Sequence, residues 1–127
     1  MNGREGVSRA RTKPNGTTLH LAPRAAWEAQ RVLGVYVPEQ FPTDGFIHCT
    51  DGQEQLLVPA NAYFRDDPRP YVALVIDLDR VMVPVRYDDD PCIYPHIYGP
   101  LDTTAVVEVL AARRGADGTF LGFTSEA

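Results

Sequence analysis

Tyr71-Val72-Ala73-Leu74-Val75-Ile76-Asp77-Leu78 is the most apolar stretch of the chain. It is rich in β-branched and aromatic residues, and no polar residue interrupts it before Asp77. A strand with one wet face alternates polar and apolar residues. This one does not, so it reads as a central strand covered on both faces. Such a strand needs helices or further sheets on either side of it.

The flanking sequence offers both. On the N-terminal side, Leu56, Ala60 and Phe64 fall on one row of a helix ending near Phe64. Thr50 and Gln53 fit a capping box that predicts its start, and Pro59 predicts a kink or a split inside it. Gly45 to Thr50 reads as a strand, with Phe46, His48 and Thr50 on one face and Ile47 and Cys49 on the other. Residues 35–44 hold two prolines and read as irregular, with a two-residue strand at Tyr36. Pro23 to Leu33 reads as a helix with Ala26, Trp27, Gln30 and Leu33 on neighbouring rows, closed by Gly34. Thr18 to Ala22 reads as a strand with Leu19 and Leu21 on one face and His20 on the other.

On the C-terminal side, Val81 to Tyr87 reads as a strand that Pro84 marks as an edge or a bulge. Asp88 to Pro91 reads as a charged turn. Ala105 to Ala112 and Thr119 to Phe123 read as strands joined at Gly115–Gly118. The expected architecture is α+β, mostly antiparallel, with two main helices in the N-terminal half. Residues 1–17 are expected to form a disordered basic tail, and residues 18–127 a single domain.

The 127 residues fit one domain, and 44% apolar content excludes disorder of the whole chain. No apolar run approaches the roughly 20 residues of a membrane span. The N-terminus carries charges and no apolar stretch, so no secretory leader is expected. Two cysteines exclude a disulfide scaffold and make the cytoplasm the expected compartment. The net charge is −5, although Arg4, Arg9, Arg11 and Lys13 face only Glu5 near the N-terminus. The rest of the chain is therefore acidic and would repel phosphate backbones, so no nucleic-acid partner is expected.

Histidine titrates nearest neutral pH, and the three in this chain, His20, His48 and His96, each lie in an apolar, strand-like segment. Three histidines with a carboxylate could hold zinc or iron, but no HxH, HExxH or CxxC spacing occurs, so no metal is expected. Cys49 follows His48 directly and on a strand points to the opposite face. It is expected to be buried and unreactive rather than a nucleophile. Pro95 and Pro100 stiffen residues 94–101, where His96 and Tyr98 would share a face while Ile97 points into the core.

Thr18-Leu19-His20-Leu21-Ala22 before a Trp-containing helix, Gly45-Phe46-Ile47-His48-Cys49-Thr50, and Pro95-His96-Ile97-Tyr98-Gly99-Pro100-Leu101 together resemble the bacterial "domain of unknown function 952" family. The likeness covers residues 18 to about 112, with Pro38-Glu39 and Ala60 to Phe64 also matching. That family is grouped with the ADP-ribosyltransferase-like superfamily, distantly similar to RNA 2′-phosphotransferases. The resemblance implies split antiparallel sheets and a pocket for NAD or a related nucleotide. It implies an ADP-ribosyl- or glycosyl-type transfer to a small molecule. In that reading His20 contacts the nicotinamide ribose, His48 faces the cofactor and Thr50 is a polar wall. From the residues themselves, His96 and Tyr98 are expected to form the third wall of the pocket, Tyr98 being able to stack on the nicotinamide, and Glu39 and Glu108 are the nearby glutamate candidates. A non-enzymatic nucleotide- or metabolite-binding module is the alternative, and a metal-dependent enzyme using the three histidines a third. His20 and His48 are expected on adjacent strands facing one cavity.

Overall fold

The structure, a computed structural model, describes residues 16–126. Residues 1–15 of the expected tail therefore lie outside the described residues, while Gly16 accepts from Leu78 N–H and Thr17 already belongs to the first strand. The strands are β1 (Thr17–Pro23), β2 (Val35–Tyr36), β3 (Ile47–His48), β4 (Tyr71–Asp77), β5 (Val85–Arg86), β6 (His96–Ile97), β7 (Leu101–Asp102), β8 (Val106–Arg114) and β9 (Phe120–Ser125). The helices are α1 (Arg24–Arg31), α2 (Phe41–Asp44) and α3 (Gln53–Tyr63), with 3₁₀ turns at Leu78–Arg80 and Thr103–Ala105.

The strands form three antiparallel sheets, ordered β1-β4-β8-β9, β3-β6-β5 and β2-β7. β4 is internal to the largest and is buried along nearly its whole length. Its Ala73 faces α3, where Leu56 packs with Leu19, Leu110 and Phe123. Its Val72, Leu74 and Ile76 face the other way, onto Trp27 of α1 and onto Tyr36, Ile47 and Ile97 of the small sheets. Both faces of the strand are thus covered. The fold is mixed α+β, with several antiparallel sheets and few helices.

Several local expectations change. α3 starts after Gly52, whose φ of +99° suits glycine, and no side chain caps it. Thr50 cannot complete a capping box because its backbone is tied to β1: Leu19 N–H donates to Thr50 C=O at 3.0 Å and Thr50 N–H to Leu19 C=O at 2.8 Å. α3 runs unbroken through Pro59. α1 ends at Arg31, so Leu33 lies beyond it and is exposed, while Gln30 clasps the backbone N–H and C=O of Val37. The segment expected to be irregular contains α2, with Pro42 in its first turn. Val81 to Tyr87 supplies only the two residues of β5. The 3₁₀ turn precedes it, and Pro84 has no N–H for a ladder. Likewise Gly45 to Thr50 supplies only β3 and the Thr50 bridge. Among the described residues no helix is long and apolar enough to cross a membrane.

Candidate functional site

The β3-β6-β5 sheet builds the site by simple alternation. Ile47, Ile97 and Val85 lie abreast on one face, all buried in the core. Their neighbours His48, His96 and Arg86 therefore lie abreast on the other. Burying the first set dictates where the second set goes, because a slip of one residue would exchange the two faces.

The two imidazoles stand 5.6 Å apart, edge to face. Phe46 stacks on His96 at 4.0 Å and 15°, and tilts against His48 at 4.7 Å. Each imidazole is held by a carboxylate through one nitrogen. His48 Nε2 meets Asp44 Oδ2 at 2.8 Å, Asp44 being the last residue of α2. His96 Nδ1 meets Asp88 Oδ2 at 2.8 Å. The Tyr98 hydroxyl donates to the same oxygen, and this hydrogen bond, with the one to His96, holds the Asp88 carboxyl below its ordinary range. The Tyr98 phenol is raised in return, and the Arg86 guanidinium lies 4.9 Å over its ring. Among the described residues no side chain or backbone group meets His48 Nδ1 or His96 Nε2.

His20 is arranged differently. Its Nδ1 lies 2.7 Å from the His48 carbonyl and its Nε2 2.9 Å from the Tyr36 hydroxyl. A carbonyl only accepts, so Nδ1 carries the proton and Nε2 accepts from Tyr36. Burial, the largest influence, pushes the ring's pKa down to about 4, so it is neutral at pH 7. Burial likewise raises the Tyr36 phenol and keeps it a hydrogen-bond donor.

A cleft of about 700 Å³ lies against these residues. His20, Cys49 and Thr50, all buried, lie at its floor; Asp44, Phe46, His48 and His96 form one wall, and α3 the other. Among the described residues, Asp44 and Asp89 line it and no lysine or arginine does.

Four expected residues, His20, His48, Thr50 and His96, therefore meet at one cleft. β1 and β3 nevertheless belong to different sheets, linked through the Leu19–Thr50 bridge and the His20–His48 carbonyl bond. Tyr98 shares a face with His96 but is not part of the lining; it stands behind His96 and steadies Asp88. Glu39 points away, into an exposed pair with Arg69 at 3.0 Å, and Glu108 is exposed on β8. Cys49 is buried and free, with its thiol pushed far above the ordinary range by burial. Sequence reasoning missed Asp44, Asp88 and Tyr36 as partners. Asp44 could have been found four residues before His48. Asp88 could not, since its run of three aspartates reads as a solvated turn.

The chain belongs to the family described as "Protein of unknown function (DUF952)", whose profile matches residues 21–109. It is similar to the crystal structure of protein CC0527 from Caulobacter crescentus, and to that of a double mutant of it. For both the TM-score is 0.71 at 25% identity, covering 83% of this chain and 93% of the other. The solution structure of CC0527 gives a TM-score of 0.65 at 25% identity, covering 80% and 89%. No functionally curated protein matches the chain.

Proposed function

We propose that the cleft binds the nicotinamide–ribose end of NAD or a related nucleotide and carries an ADP-ribosyl- or glycosyl-type transfer to a small molecule. We read the split antiparallel sheets as an ADP-ribosyltransferase-like arrangement. The observation that carries this proposal is the wall of two imidazoles, each held by a carboxylate through one nitrogen and each with the other nitrogen without a partner among the described residues.

The residues fit one end of such a nucleotide better than the other. A cationic pyridinium suits a cleft lined by Asp44 and Asp89 with Phe46 beside them. Among the described residues a diphosphate finds no lysine or arginine in the lining, so the reading rests on the nicotinamide–ribose end. When bound, the nucleotide supplies a C–N glycosidic bond whose cleavage develops positive charge on the sugar. The aspartates favour positive charge nearby. An imidazole whose orientation a carboxylate fixes can take a proton from an acceptor hydroxyl. Asp88 and Tyr98 position His96. His20 positions the His48 backbone rather than meeting the ribose itself, since both its nitrogens are engaged. The same engagement removes His20 from any three-histidine metal set.

Calorimetric titration tests this. Nicotinamide riboside should bind at least tenfold more tightly than ADP-ribose, and His48→Ala, at an exposed position, should weaken it about tenfold, or roughly 1.4 kcal/mol. Equal affinity for ADP-ribose, or unchanged affinity in His48→Ala, overturns the reading. Release of free nicotinamide from NAD separates a transferase from a module that only binds.

A further inference from the structure

The second wall of the cleft has no role yet. α3 presents Leu56, Val58, Pro59, Ala62 and Tyr63 to it, without one charged group. Leu56 belongs to the core, but Val58 is 64% and Tyr63 78% exposed. Large apolar side chains left in water at the mouth of a concave site mark a ligand surface more than a packing surface. They share one cavity with the histidines, and among the described residues the charged side chains lining it are Asp44 and Asp89.

We propose that the α3 wall is a second subsite, for the acceptor, and that it takes an apolar molecule that is neutral or cationic and is matched by Val58 and Tyr63. The charge complementarity is direct. An anionic acceptor would meet the carboxylates of Asp44 and Asp89, and among the described residues no lysine or arginine lines the cleft beside them. A flat ring with an amine or hydroxyl can lie along Val58, Pro59 and Tyr63 with its polar end towards the imidazoles. A volume of about 700 Å³ lies inside the range of small-molecule sites and has room for two small ligands. The assignment rests on the nicotinamide reading for the identity of the first ligand, but not for the existence of the second surface.

The test uses the full chain at pH 8 and three probes of matched shape: benzylamine, benzyl alcohol and benzoate. Ligand-induced NMR shifts locate each probe, with and without saturating nicotinamide riboside. Benzylamine and benzyl alcohol are expected to shift Tyr63 and Val58 signals and to bind alongside nicotinamide riboside. Benzoate is expected to bind at least fivefold more weakly than either. Tyr63→Ala and Val58→Ser, both at exposed positions, should each lower benzylamine affinity at least fivefold. Displacement of benzylamine by nicotinamide riboside with shifts at His48 and His96 alone would overturn the subsite while leaving the histidine wall intact. So would benzoate binding as tightly as benzylamine. If nicotinamide riboside moves no histidine signal while benzylamine still maps to Tyr63, the nicotinamide reading falls and the apolar subsite stands.

Discussion

His20 and His96 are both buried histidines in strands lining one cleft, yet they do opposite work. His20 has both ring nitrogens engaged, by the Tyr36 hydroxyl and the His48 carbonyl. It is part of the framework that holds β1 against β3. His96 has one nitrogen on Asp88 and the other without a protein partner among the described residues. The difference comes from what each strand meets. β1 lays His20 against a backbone carbonyl and a phenol, two neutral partners that fill both positions. β6 lays His96 beside a single carboxylate, and alternation turns its second nitrogen away from the core. Burial alone therefore does not separate a structural histidine from a functional one; the partner of each nitrogen does.

The largest expected effect lies on the framework side. His20→Ala removes a filled volume and leaves the Tyr36 hydroxyl and the His48 carbonyl without partners. A loss of about 3–5 kcal/mol is expected in chemical denaturation. A loss below about 1 kcal/mol would mean that His20 is not structural.

The next effect is on pH. His20 titrates at about 4 in the fold and near 6.5 when unfolded. Between these values the unfolded chain binds the proton and the native one does not. Stability therefore falls as pH drops from about 6.5 to about 4, by roughly 3 kcal/mol from this group. It is constant from this source above and below that window. Denaturation of wild type and His20→Asn at several pH values checks it: the difference between their two curves should carry this slope, and parallel curves would contradict it.

Asp88→Asn comes third. It removes the charge shared by His96 and Tyr98 without changing shape. Nicotinamide riboside affinity is expected to fall about tenfold, or roughly 1.4 kcal/mol. The Tyr98 phenol should titrate closer to its ordinary value by ultraviolet absorbance, since Asp88 is the main reason it is raised. The smallest effect belongs to Glu39→Gln. It breaks one exposed pair with Arg69 and should change stability by less than about 0.5 kcal/mol. Its ligand affinity should equal wild type; a tenfold loss would return Glu39 to the site.

Much of the fold was legible because it follows from burial. The unbroken apolar run of β4, the buried pair Ile47 and Cys49 flanking His48, and the row of Leu56 and Ala60 each reflect local periodicity, which the sequence displays directly. Element ends were less legible. The Thr50 capping box gave way to a backbone bridge with Leu19, a contact 31 residues away that no local pattern encodes. The three-histidine cleft could be anticipated from the shared apolar setting of His20, His48 and His96. Their roles could not, because each depends on partners brought from elsewhere in the chain: Tyr36 to His20, and Asp88 to His96 across a turn. Tyr98 was placed on the face of His96 but one layer too close to the cleft. Its phenol reaches Asp88, and a sequence does not show how far a side chain reaches.

The division between framework and ligand-facing histidines is tested most directly by imidazole NMR. Ring ¹⁵N and ¹H signals of all three histidines would be followed while nicotinamide riboside is added at pH 8. The signals of His48 and His96 should move together along one saturable curve, and those of His20 should stay in place with its Nδ1 proton retained. Movement of the His20 ring with His48 and His96 silent would contradict the division, and with it the assignment of the histidine wall as the binding surface.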